Sequence, residues 1–161
     1  MNRALFVITV LVLLVTFDAG ATAAEESALA KRLYGEWTRD DGRTFYFSPT
    51  TYFRVADSKC YMVPLRIIDE SSVFSALVVR LDPERGDNAV DWKIELSRGE
   101  NRAMVSSRSR QAARVGAVYV PDYKKADEMP LTEIPFIKPP TPYRKVSDAR
   151  APGHVKCERS L

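Results

Sequence analysis

The sequence predicts a mostly β protein: an eight-stranded antiparallel up-and-down barrel with a short N-terminal helix and an extended, proline-rich C-terminal tail. Three observations predict it. Short runs rich in Val, Ile, Tyr, Phe and Thr recur from residue 35 to about residue 120. The connectors between them are short and built of turn residues, which favours antiparallel neighbours because a parallel crossover needs about a dozen residues or more. Seven of the ten prolines then lie beyond residue 120, where neither a helix nor an inner strand is expected.

The N-terminus reads as a secretory signal. Arg3 precedes an apolar run over residues 4–17, and Ala19-Gly20-Ala21-Thr22-Ala23-Ala24 follows. Small residues at the −3 and −1 positions are what signal peptidase accepts, so residues 1–24 are expected to be a signal peptide cleaved after Ala23 or Ala24. The alternative is an uncleaved anchor, but an apolar run of about 14 residues falls short of the roughly 20 that a span requires. No cysteine stands near the cleavage region, which argues against a lipid anchor there. The expected product is exported, periplasmic or secreted, and soluble after cleavage. It divides into a β-barrel domain over residues 25–120 and a tail over residues 121–161 packed on the barrel. A formal net charge of +3 is too small to argue for nucleic acid by itself. It is compatible with contact to a membrane surface or an anionic envelope polymer.

Residues 25–33 (EESALAKRL) combine helix formers with acidic residues at their start, the pattern of a short helix. Eight strands are then expected over residues 35–38, 43–48, 51–56, 60–68, 73–81, 90–97, 102–108 and 113–120. The sixth alternates most clearly. Val90, Trp92, Ile94 and Leu96 point one way, and Asp91, Lys93, Glu95 and Ser97 point to the wet side. Residues 73–81 are apolar on both faces, as in a strand covered outside by a helix, a tail or a partner. A two-sheet sandwich would generate a similar string of strands. In the tail, Leu131, Ile134, Phe136, Ile137 and Tyr143 are too apolar for a free linker, so the tail is expected to lie along the barrel.

The two cysteines, Cys60 and Cys157, are expected to pair in an oxidising compartment and so fasten the tail. Free thiols or a bond to another chain are the alternatives.

The segment Leu33-Tyr34-Gly35-Glu36-Trp37 resembles the first-strand motif of the lipocalin-like (calycin) barrels, in which G-x-W follows a short helix. The resemblance implies that Trp37 plugs one end of the barrel while Gly35 lets the chain pass closely by it. It also implies a disulfide from a mid-barrel strand to the C-terminal segment, a place Cys60 and Cys157 would fill. The arginine that closes over the tryptophan in such barrels is matched by either Arg110 or Arg114.

Catalytic constellations are not evident. The single histidine, His154, stands in the tail, and both cysteines are better accounted for by a disulfide. Asp82, Glu84, Asp87, Asn88 and Asp91 crowd one connector, yet their spacing does not match a calcium loop, and acidic residues around Gly86 are ordinary turn chemistry. The chain is expected to be no enzyme and to need no cofactor or metal. Arg108, Arg110 and Arg114 are a candidate anion patch at the end of a basic stretch that also contains Arg98 and Arg102; a solvated strand end is the plainer reading. Phe45, Phe47 and Trp92 are a candidate pocket for an apolar ligand, or simply barrel filling. The leading expectation is therefore an exported, non-enzymatic, lipocalin-like binding protein for a small apolar or amphipathic ligand. The alternative is an envelope interaction protein, such as an inhibitor of a lytic enzyme or an accessory factor, acting through a protruding loop or the tail. No nucleic-acid partner is expected.

Overall fold

The computed structural model describes residues 26–99, 101–120, 128–153 and 155–159, with residue 87 described in its backbone only. The expected signal peptide and His154 lie outside the described residues. Eight strands follow one another as an antiparallel meander: β1 (Gly35–Arg39), β2 (Thr44–Phe47), β3 (Thr51–Ala56), β4 (Lys59–Ser71), β5 (Ala76–Leu81), β6 (Val90–Leu96), β7 (Arg102–Arg108) and β8 (Thr141–Ser147). β8 pairs with both β7 and β1, so the sheet closes into a barrel. A short helix, α1 (Ala28–Leu33), precedes β1, and a second, α2 (Arg110–Arg114), follows β7. β9 (Cys157–Arg159) runs parallel to the first half of β4, on the edge opposite β3. No helix among the described residues is long and apolar enough to cross a membrane.

Local sequence accounts for each connection. Ser27 caps α1 by accepting the Ala30 amide at 2.9 Å, and Leu29, Ala30 and Leu33 are buried against the barrel end. Asp57 and Ser58 both adopt positive φ between β3 and β4, the twist a two-residue hairpin loop needs. Inward positions along the strands (Trp37, Phe45, Phe47, Leu77, Val79, Ile94, Val105 and Tyr143) form one continuous core with α1.

The eighth strand is a correction. Residues 113–120 do not form it: Ser109 caps α2 through the Ala112 amide at 3.1 Å, and the left-handed Gly116 (φ 70°) ends the turn that follows. The closing strand comes instead from the segment expected to be an extended tail. Thr141–Ser147 alternates Tyr143 inward with Arg144 and Val146 outward. Pro142 is tolerated because it pairs with β7 alone, past the point where β1 ends.

The outward face of β6 is also drier than its alternation suggests. Asp91 has 0% exposure, because α2 and the chain after it cover that part of the wall with a second apolar cluster of Ala89, Ala113, Val118, Leu131 and Ile134. Beneath this cover Asp91 accepts a bidentate pair from Arg80, at 2.7 and 3.0 Å, and further bonds from Arg108 at 2.9 and 3.0 Å. Arg108 also donates to the Thr132 carbonyl at 2.6 Å and lies over the Phe136 ring at 4.5 Å.

The disulfide forms between Cys60 and Cys157, which are directly paired residues of β4 and β9. Gly35, with φ 137°, passes so close to β8 that an added Cβ would sit 2.5 Å from the Ser147 carbonyl oxygen and 2.6 Å from the Lys145 side chain. Gly35→Ala is therefore expected to destabilise the barrel by about 1–3 kcal/mol, read as a lower midpoint in urea unfolding. At Gly42 an added Cβ would meet no atom within 4 Å. Gly42→Ala thus carries only the backbone cost of its positive φ and is expected to lose less.

Candidate functional site

The barrel interior is lined with rings rather than left open. Phe45, Phe47, Tyr52, Trp92 and Tyr143 make a mutual cluster with centroid separations between 5.1 and 6.4 Å. Their edge-on and tilted contacts are those that aromatic pairs prefer. Burial holds the Tyr52 phenol above its ordinary value, with Tyr143 adding to the effect. Burial also raises Tyr143, against the opposing pull of the Arg39 guanidinium beside it. Both phenols are neutral at physiological pH and belong to the packing. The candidate ligand-pocket residues Phe45, Phe47 and Trp92 are thus brought together, but against one another.

Trp37 lies at the α1 end, 2% exposed, and its indole N–H donates to the Leu33 carbonyl at 2.7 Å. With Arg32, Leu96, Asn101 and Lys145 it lines a void of about 90 Å³. That volume is well below the roughly 300–1,000 Å³ of pockets that enclose drug-sized ligands. Arg32 and Lys145, rather than Arg110 or Arg114, are the basic residues beside Trp37.

The basic stretch is dispersed. Arg98 donates to the Val73 carbonyl, and Arg102 opens β7. Arg108 is engaged with Asp91, Arg110 is buried in the first turn of α2, and Arg114 ends that helix. Arg110 and Arg114 have interactions of their own. Arg108 and Arg110 do not share a strand face, because the chain turns into α2 at Ser109. The acidic connector is likewise divided: Asp82 pairs with Arg85, Glu84 with Arg159, and Asp91 is buried under α2 and the chain beyond it.

Two features of the outer surface stand apart from this packing. The first is the β4–β5 turn. Val73 and Phe74, expected to open a strand, instead stand at its tip with 72% and 77% exposure. Three contacts fix the turn: the Phe74 amide approaches Ser71 Oγ, the Ser75 amide bonds to the Ser72 carbonyl, and Arg98 holds the Val73 carbonyl. The Ser75 carbonyl in turn accepts the Leu96 amide at 2.8 Å. Phe74 also walls a cleft of about 490 Å³ with Asp69, Ser71, Ala76, Val78, Lys93 and Glu95. The signal was present in Ser71-Ser72-Val73-Phe74-Ser75, where serines bracket the apolar pair as turn residues.

The second is a cleft of about 640 Å³ between the β1–β2 turn and the β7–β8 pair, bordered by Thr38, Arg39, Asp40, Arg102, Tyr143 and Arg144 among others. Its arginines come from three strands far apart in sequence, which is why no local pattern marks it.

The molecule is a closed, eight-stranded antiparallel barrel whose short helix, G-x-W entry and disulfide are consistent with a calycin-like build. Comparison with family models, curated proteins and solved structures finds no match to the chain. The calycin-like description rests on geometry alone.

Proposed function

We propose that this chain is an exported, non-enzymatic interaction protein that engages a protein partner through its outer surface, with the β4–β5 turn entering a cleft of that partner. The observation that carries this reading is the pair Val73 and Phe74, held outward on a hydrogen-bonded turn. Two adjacent large apolar side chains exposed at the tip of a turn favour an apolar site on a partner. An inhibitor or accessory factor of an envelope enzyme is the kind of role that fits. The disulfide supports export, because such bonds persist in oxidising compartments.

The apolar-ligand role implied by the lipocalin resemblance is the weaker reading, because a ligand would have to displace the five packed rings. Organic extraction of purified protein is therefore expected to release no stoichiometric lipid. With a crosslinked partner in hand, Val73→Ser/Phe74→Ser is expected to weaken its binding by about 2–4 kcal/mol, roughly 30- to 1,000-fold, with an unchanged circular dichroism spectrum. Undiminished partner binding by this variant, or a stoichiometric apolar ligand in the extract, would overturn the proposal.

A further inference from the structure

We infer that the cleft at the foot of the β4–β5 turn receives an arginine side chain of the protein partner, with its guanidinium on Asp69. This deepens the docking role proposed above and rests on it, but a different residue carries it. Ile67 pairs with Val79 and packs against the barrel core, whereas Asp69 pairs with Val78. Val78 points outward, since Leu77 and Val79 on either side of it are fully buried. Strict alternation would put residues 67 and 69 on one face. The register shift between them, with Ile68 as the extra residue, turns the Asp69 carboxylate out of the barrel. The next carboxylate along, Glu70, serves α1 instead and accepts the Ser27 hydroxyl at 2.6 Å.

On the outer wall, Asp69, Val78 and Lys93 form one row across β4, β5 and β6, and Ala76 lies beside Glu95 in the next row toward the tip. The floor of the cleft on β5 is therefore apolar, and the Phe74 ring walls it at the tip. Lys93 is taken by Glu95, so the pair carries no net charge. Asp69 accepts the Glu70 amide through Oδ1 at 2.9 Å and makes no ion pair among the described residues. It is the unbalanced charge of the lining. Among the described residues, no ring or guanidinium lies against Phe74. An apolar floor, an open ring and a lone carboxylate together suit arginine. Its stem lies along apolar surface, its planar head stacks on a ring, and its fork donates to a carboxylate. An ammonium is a strongly hydrated point charge and gains less from the ring and the floor.

The test is titration of the full mature chain with Nα-acetyl-arginine methylamide at constant ionic strength, followed by amide shifts. The capped lysine and the uncharged capped citrulline are the controls. Saturable shifts centred on Asp69, Phe74 and Val78 are expected, with a dissociation constant of about 1–10 mM. Citrulline should bind at least about tenfold more weakly, and lysine about threefold more weakly. Asp69→Asn keeps an oxygen for the Glu70 amide and removes only the charge. It is expected to weaken capped arginine about tenfold, and the crosslinked partner at least about fivefold, at an unchanged melting temperature. Non-saturable shifts, equal affinity for capped citrulline, or wild-type affinity for capped arginine in Asp69→Asn each overturn the inference. So does partner binding that Asp69→Asn retains in full and Val73→Ser/Phe74→Ser loses, an outcome that leaves the docking role standing. Undiminished partner binding by both variants overturns the two together.

Discussion

Replacing Cys60 and Cys157 together with alanine is expected to lower stability by about 4–5 kcal/mol, the largest loss available from any covalent change in this chain. The bond closes a loop with a sequence separation of 97, and the chain-entropy cost of leaving so long a loop open in the unfolded state sets this magnitude. Domains of this size have only about 5–15 kcal/mol in total, so the variant should remain folded at low temperature with much of its margin gone. Little of the native packing depends on the bond directly. β9 is three residues long and pairs only with Cys60, Tyr61 and Met62, while Arg159 reaches back to Glu84 at 2.6 Å. The effect should therefore appear mainly as a lower urea midpoint of the whole barrel, not as detachment of one strand. Wild-type protein unfolded in the presence of a thiol reductant should show the same midpoint. A reduced wild type or double variant within about 1 kcal/mol of the oxidised protein would mean that the unfolded chain already keeps these segments together.

The first seven strands were legible because each is a short run of strand-forming residues with its own turn residues, as in Asp57-Ser58 between β3 and β4. The entry was legible too, since Gly35 and Trp37 are local to one motif and their close approach to β8 and Leu33 depends on residue type. The eighth strand was not. Prolines at 139, 140 and 142 make residues 130–142 read as irregular, and they hide the alternation of Tyr143, Lys145 and Ser147 just beyond. Residues 113–120 offered a decoy, because Val118 and Val120 pack on the outside of the barrel rather than within it. The cleft bordered by Arg39, Arg102 and Arg144 was illegible for a different reason. The Arg102–Arg144 pairing exists only because β8 enters between β7 and β1, a contact 42 residues distant that no window over the sequence samples.

Asp91→Ala is expected to cost about 3–5 kcal/mol, and the reason is the company it leaves behind. The side chains of Arg80 and Arg108 are 17% and 11% exposed, and both guanidinium groups converge on this one carboxylate. Its removal leaves two like charges facing each other in a place that water reaches poorly. Truncating one partner of a buried ionic cluster costs far more than the intact cluster contributes, because the desolvation of the survivors is no longer offset. Asp91→Asn should fall between, since one carbonyl oxygen still accepts while the amide presents its own donors to a guanidinium. Replacing Asp91, Arg80 and Arg108 together with apolar residues of similar volume should recover most of the loss, the outcome that identifies repulsion rather than lost packing as its cause. The damage should also be directional. Arg108 is tied to the Thr132 carbonyl and the Phe136 ring, and the Ile137 amide bonds to the Ser107 carbonyl at 2.8 Å. Asp91→Ala should therefore speed hydrogen exchange at Ile137 more than at β1–β3 amides. Equal acceleration everywhere would show that Asp91 supports the barrel as a whole and not the cover that lies over it.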